Sequence, residues 1–169
     1  ALHKVRNAKD EIAGQLRIVG PRTTFLPVIG ALLDAFCKKH PDIQPDVHLD
    51  DRIGNWVEDR VDVGFRIGES LEDGVIARRL FPLQLIMCCT PGYIQKYGVL
   101  KSIEDLAAHR CSAFRHPTSG QVIPWFFKEG DDVVLRNISP ALATNDAGLE
   151  LEAVMSGEFM GQLANISVA

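Results

Sequence analysis

Apolar residues recur along this chain in two rhythms, one suited to strands and one to helices. Residues 15–20 form a short apolar run that reads as a strand, and Pro21-Arg22-Thr23-Thr24 reads as a turn. Next, Phe25, Val28, Ile29, Leu32, Leu33 and Phe36 recur at intervals of three and four, the spacing of a wide apolar helix face. Lys38-Lys39-His40 put cations where a helix C-terminus favours them, and Pro41 lies just beyond. Residues 43–50 then read as a second strand, 52–58 as a helix and 61–67 as a third strand. Strand, helix, strand, helix, strand predicts a parallel sheet with right-handed crossovers.

The remainder is more broken. Residues 75–81 read as a strand with a basic edge at Arg78-Arg79, and 83–89 as a crossing strand. That run breaks at Thr90-Pro91-Gly92, where the chain can change direction between two lobes and act as a hinge. Residues 91–97 and 103–108 predict short helices, and 111–115, 125–128, 133–135 and 138–144 predict a second sheet region. Asn145-Asp146 can cap a helix running to Ser156, with Ala147, Leu151, Val154 and Met155 on one face; residues 160–163 read as a last strand. Residues 1–13, with Leu2, Val5 and Ile12 at coiled-coil-like spacing before Gly14, read as the tail of a longer helix.

Composition narrows the function classes. At 169 residues the chain fits one medium domain or two small lobes. A net charge of −4 weighs against this chain gripping nucleic acid by itself, which requires a concentrated cationic surface. No apolar run approaches the roughly 18 residues of a membrane span. His3, Lys4, Arg6, Lys9, Asp10 and Glu11 interrupt any secretory core near the start, mild support for the cytoplasm. Cys37, Cys88, Cys89 and Cys111 follow neither zinc nor CxxC spacing and are expected as buried reduced thiols, with a redox-sensing pair as the alternative.

Several residues stand where chemistry is done. Thr23 and Thr24, between a strand and a helix, offer hydroxyls beside unpaired helix amides, either as an anion receptor or as simple N-caps. Arg66 follows an apolar strand and can hold a carboxylate in a bidentate grip, or form an internal salt bridge with Asp50, Asp51 or Asp62. Asp50 and Asp51 end the second strand and belong to the same rim, where they would offset that cation. From the second half, His116, after Phe114-Arg115, and Asn145-Asp146 could close on a ligand; an exposed loop histidine is the plain alternative. Trp125-Phe126-Phe127 reads as core or edge packing. The chain holds no GxSxG, HExxH, GxxxxGK[ST] or GxGxxG, nothing arranges His109 and Cys111 as base and nucleophile, and five scattered histidines form no metal set.

Taken in order, GQLRIVGP, FLPVIGALLDAFCKKHPDI, VDVGFRIGES, VIARRL and CCTPGYIQKYG, then LAAHRCSAF, IPWFF and NDAGLELEAVMSGEFMGQL, closely resemble the effector-binding domain of LysR-type transcriptional regulators. The likeness runs from about Gly14 to Leu163, and it rests on order and spacing together. The resemblance implies an α/β, two-lobed fold like type II periplasmic binding proteins, each lobe a mixed sheet flanked by helices. Residues 1–13 would be the end of a linker helix, 14–89 effector-binding lobe I and 90–169 lobe II. Lobe I would be incomplete, because the chain stops before the return segment expected to complete it.

A bacterial, cytoplasmic, non-enzymatic sensor follows, with a small-molecule effector, a carboxylate among the candidates, between the lobes. Carried over by motif, the effector contacts are Thr23, Thr24, Asp50, Asp51, Arg66 and Gly68, with Phe114, Arg115, His116 and Asn145 from the other lobe. The resemblance implies no cofactor, metal or membrane. It further implies a homodimer or tetramer, side by side through the helix at about residues 25–39, and DNA contact only through an N-terminal domain absent from this chain. A transporter's solute-binding protein and a small enzyme on the same fold are the alternatives.

Overall fold

The computed structural model describes residues 13–51, 59–67 and 76–168, with the side chains of residues 23–27 outside that set. The helix expected at 52–58, the linker helix expected before Gly14 and the glycine at position 68 therefore lie outside the described residues. The chain forms two compact units, Ala1–Arg79 and Leu80–Ala169. The sequence put the boundary at residues 89 and 90; the unit boundary falls ten residues earlier because the strand over Leu85–Cys88 pairs with the last strand of the chain.

The first unit holds strand β1 (Gly14–Gly20), helix α1 (Arg22–Lys39), β2 (Ile43–Leu49) and β3 (Val63–Gly64). The strands lie in the order β2-β1-β3 and are all parallel, with Ile18 opposite both Val47 and Val63. Alternation along β1 gives the core: Ile18 is buried against Ile29 of α1, with Leu16, Leu33 and Phe65 packed around them. Burying a side chain of this size stabilises by about 2 kcal/mol. Arg17 faces the other way, its Nε 3.7 Å from Asp46 and its Nη1 donating to the Asp59 carbonyl at 2.9 Å. Pro45 is tolerated because β2 is the sheet's edge strand among the described residues.

Three expectations change here. The predicted turn at 21–24 is the first turn of α1, which already begins at Arg22. The third strand shrinks to Val63–Gly64, flanked by the Asp62 and Phe65 amides, which donate to the Arg17 and Val19 carbonyls at 3.0 and 2.8 Å. Leu32, placed on the core face by periodicity, is 51% exposed, so the apolar stripe is wider than the sheet it packs against.

The second unit contains β4 (Leu85–Cys88), α2 (Pro91–Tyr97), a 3-10 turn (Ile103–Ala108), β5 (Ser112–Phe114), β6 (Trp125–Glu129), β7 (Asp132–Arg136), β8 (Leu142–Thr144), α3 (Ala147–Met155) and β9 (Gly161–Ala164). β4 pairs antiparallel with β9, β5 parallel with β8, and β6 with β7 as a hairpin, while a bridge between Cys111 and Met160 joins the β5 region to β9. The core gathers Tyr93, Leu106, Cys111, Trp125 and Met160. Thr90-Pro91-Gly92, expected as a hinge, forms a capped helix start: the Thr90 hydroxyl accepts from the Tyr93 amide at 3.2 Å and Pro91 takes the first helical position. Residues 76–81 form no strand, and Ile76 is 96% exposed. Met155, expected on the buried face of α3, is 64% exposed, whereas Val154 is buried.

Candidate functional site

In the first unit the carboxyl ends of β1, β2 and β3 share one edge, because the strands are parallel. The Asp50 amide donates to the Gly20 carbonyl at 3.0 Å, which sets Asp50-Asp51 beside the start of α1. Pro21, the residue before that helix, has no side-chain acceptor to cap it. Asp51 supplies one from across the sheet: its Oδ1 accepts from the Arg22 amide at 2.9 Å, placing a negative charge at the positive end of the helix dipole. The capping role allowed for Thr23 and Thr24 thus falls, at Arg22, to Asp51. Those threonines lie within the first turn of α1. Asp62 likewise is committed to backbone, its Oδ2 accepting from the Arg17 amide at 2.9 Å. Neither Asp50 nor Arg66 is without a partner.

In the second unit β5 and β8 are parallel, so Phe114 and Thr144 are register partners at one end of the pair. The chain leaves them as Arg115-His116 and Asn145-Asp146, which brings all four expected residues, Phe114, Arg115, His116 and Asn145, to the same edge. Two of those side chains are spent on the turn that follows. Arg115 Nη1 donates to the Gly120 carbonyl at 2.6 Å, and His116 Nδ1 accepts from the Thr118 and Ser119 amides at 3.2 and 3.1 Å. An Nδ1 that accepts cannot carry the ring proton, so in the neutral ring the proton sits on Nε2. Asn145 is exposed; Asp146, not Asn145, caps α3 by accepting from the Leu149 amide at 2.8 Å.

Sequence reasoning missed one buried polar pair. Ser112 on β5 and Glu150 on α3 are 0% and 3% exposed, and the Ser112 hydroxyl donates to Glu150 Oε1 at 2.8 Å. Burial pushes the Glu150 carboxyl above its ordinary range, with the Ser112 hydrogen bond opposing. A signal was available: Glu150 falls three residues after Ala147 and four before Val154, on the apolar stripe of its own helix.

Among the described residues nothing assembles a nucleophile and base. Cys111 is fully buried, its thiol pushed up to about 11 by that burial, and its Sγ lies 3.8 Å from the Leu106 carbonyl. His109 Nδ1 is 3.0 Å from the Tyr93 hydroxyl, which accepts from the Arg110 amide at 3.0 Å. Burial also raises Cys88 and Cys89, the opposite of what a reactive thiol requires. Cys37 is exposed rather than buried as expected, because it lies on the outer side of α1. Among the described residues no group of three His, Cys, Asp or Glu side chains could hold a metal ion, and no helix is long and apolar enough to cross a membrane.

Comparison with known proteins gives this arrangement a context. The family model described as the LysR substrate binding domain matches residues 9–169. The uncharacterized HTH-type transcriptional regulator YcaN of Escherichia coli (strain K12) is 33% identical over 152 residues, covering 89% of this chain and 49% of the relative. The HTH-type transcriptional regulator PtxR of Pseudomonas aeruginosa is 27% identical over 169 residues, covering 100% of this chain and 54% of the relative. The chain thus spans about half the length of the curated relatives it matches. Among solved structures, CrgA, a LysR-type transcriptional regulator from Neisseria meningitidis, superposes with a TM-score of 0.78 at 23% identity, over 92% of this chain and 52% of that one. Its regulatory domain alone gives 0.77 at 23% identity, over 92% and 75%. The likeness in fold supports the α/β, periplasmic-binding-protein-like class expected from the sequence.

Proposed function

Since the chain belongs to the LysR substrate binding domain family, we propose that it is the small-molecule effector-sensing domain of a bacterial LysR-type transcriptional regulator. The match over residues 9–169 carries this reading, and the regulator names of the curated relatives favour it over a transport protein or an enzyme. In this reading the strand-end rim of the first unit supplies Thr23, Thr24, Asp50, Asp51 and Arg66, with Gly68 carried over by motif alone. The β5–β8 edge of the second supplies Phe114, Arg115, His116 and Asn145.

Three of these residues already carry structural duties: Asp51 caps α1, and Arg115 and His116 hold a turn. Their contribution is therefore to shape the rim, while Asn145, exposed and outside the bond that caps α3, is the better candidate for direct contact with effector. A rim holding Asp50 and Asp51 beside Arg66 suits a polar molecule that offers both donors and acceptors, such as an amino acid or hydroxy acid, better than a bare anion. Effector binding would favour one of two pre-existing arrangements, which an attached DNA-binding domain reports, in a cytoplasmic dimer or tetramer.

The test is a thermal-unfolding panel of small carboxylates, amino acids and aromatic acids on the chain, followed by Arg66→Ala. The expected result is saturable stabilisation by one chemical class, about 2.7 kcal/mol at a hundredfold excess over Kd, that Arg66→Ala weakens at least tenfold. A panel without any stabilising class, or chemical turnover of the hit, would count against sensing.

A further inference from the structure

The buried Ser112–Glu150 pair does more than fill the second unit. Contacts from α3 reach β5, β8 and β9, and those three strands hold no ionisable residue. The neighbouring β4 contributes the Cys88 thiol, which feels the Glu150 charge. On α3 itself, Asp146 is occupied as the cap of that helix, and Glu152 is exposed. Among the described residues, then, burial and one hydroxyl set the state of the Glu150 carboxyl, and no cation offsets a charge there. The surroundings are tight: a Cβ added at Gly161 of β9 would lie 2.7 Å from both Ser112 Oγ and Val154 Cγ2.

Ser112 stands two residues before Phe114, and the Glu150 amide donates to the Asp146 carbonyl at 3.1 Å in the first turn of α3. We propose that the Ser112–Glu150 pair is a proton-sensitive latch that fixes α3 against β5. It would thereby position residues 114–116 and 145–146, the part of the effector site supplied by the second unit. Its consequence for sensing rests on the functional reading above; the latch itself does not. With the carboxyl protonated, a neutral group occupies a dry site and accepts one hydrogen bond. When the proton leaves to solvent, a charge remains with the Ser112 hydroxyl as its donor, and its need for water loosens α3 from β5. A carboxyl raised in the folded state contributes stability that is fully present below its ordinary range and is lost as pH rises through the raised value. Glu158 is held below its ordinary range by Lys96 and Tyr97, so it acts in the opposite direction, losing stability as pH falls.

The experiment compares the chain with its Glu150→Gln and Ser112→Ala variants across about pH 5 to 8, by thermal midpoint and by amide exchange corrected for its intrinsic pH dependence. Relative to Glu150→Gln, the parent should lose midpoint as pH rises, on the order of 4 °C per pH unit of displacement. Exchange at the Leu149 and Glu150 amides should rise about tenfold per unit over the same window. Ser112→Ala removes the hydroxyl that favours the ionised form, so its loss should start at the same pH but continue to higher pH; a merely structural hydroxyl would lower the midpoint equally at every pH. Parallel profiles for parent and Glu150→Gln would overturn the latch, as would a pH response that leaves exchange at 112–116 and 145–150 unchanged. Should Glu150→Gln fail to fold, a carbon-13 titration of the Glu150 carboxyl in the parent decides, with an ordinary value overturning the proposal. Failure of the sensing reading looks different: no ligand stabilises the chain at any pH while the latch profile persists.

Discussion

Asp51 shows how a residue expected at a ligand site can hold the scaffold of that site. Its carboxylate takes the first free amide of α1, a position that Pro21 cannot serve. Asp51→Ala should lower the stability of the first unit by about 1 kcal/mol, and Asp51→Asn, which keeps an acceptor oxygen, should recover most of that loss in urea unfolding. Gly161 is constrained by its neighbours rather than by its backbone. Gly161→Ala brings a methyl to 2.7 Å from Ser112 Oγ and Val154 Cγ2, an overpacking that should cost about 1–3 kcal/mol by the same measurement. The sequence marked Asp51 as a rim residue but could not reveal its use, because a cap drawn from a distant strand end has no local spacing. Glu150 could have been found from its place on an apolar stripe; Ser112, its partner on another element, could not.

At the scale of elements, α1 separates periodicity from burial. Ile29 is 3% exposed and Leu32, one turn on, is 51% exposed. Ile29→Ala should cost about 3 kcal/mol and Leu32→Ala under about 1 kcal/mol, a contrast that denaturant titration resolves easily. Helix α2 was legible to the residue because its signals are local: a threonine cap, proline at the first position and Gly98 with a φ of 87° at the end. Strands were less so. The apolar runs at 61–67 and 75–81 look alike in sequence, but a strand exists only where a neighbour accepts its ladder. The first kept two paired residues, and the described part of the second kept none. The cysteines divide for the same reason: Cys111 is sealed by the core around it, while Cys37 faces outward from a helix whose apolar stripe exceeds its contact.

For the whole molecule, the ordered motifs were the strongest signal, and family membership confirms what they implied about fold class. On the proposed reading, neither rim is a simple anion trap. The first carries Asp50 and Asp51 with Arg66, and the second spends Arg115 and His116 on its own turn. Specificity on this account comes from polar complementarity at both strand-end edges. Substituting Asn145, exposed and outside the capping bonds, should weaken effector binding while leaving the thermal midpoint of the free chain within about 1 °C, as expected for a surface position. The most direct test of sensing is amide hydrogen exchange of the chain with and without a stabilising ligand from the panel. The proposed sensing role predicts slowed exchange at both rims, around residues 49–51 and 65–66 and around 114–116 and 145–149, with the rest of each unit little changed. Protection confined to one rim, or lying away from both, would contradict it.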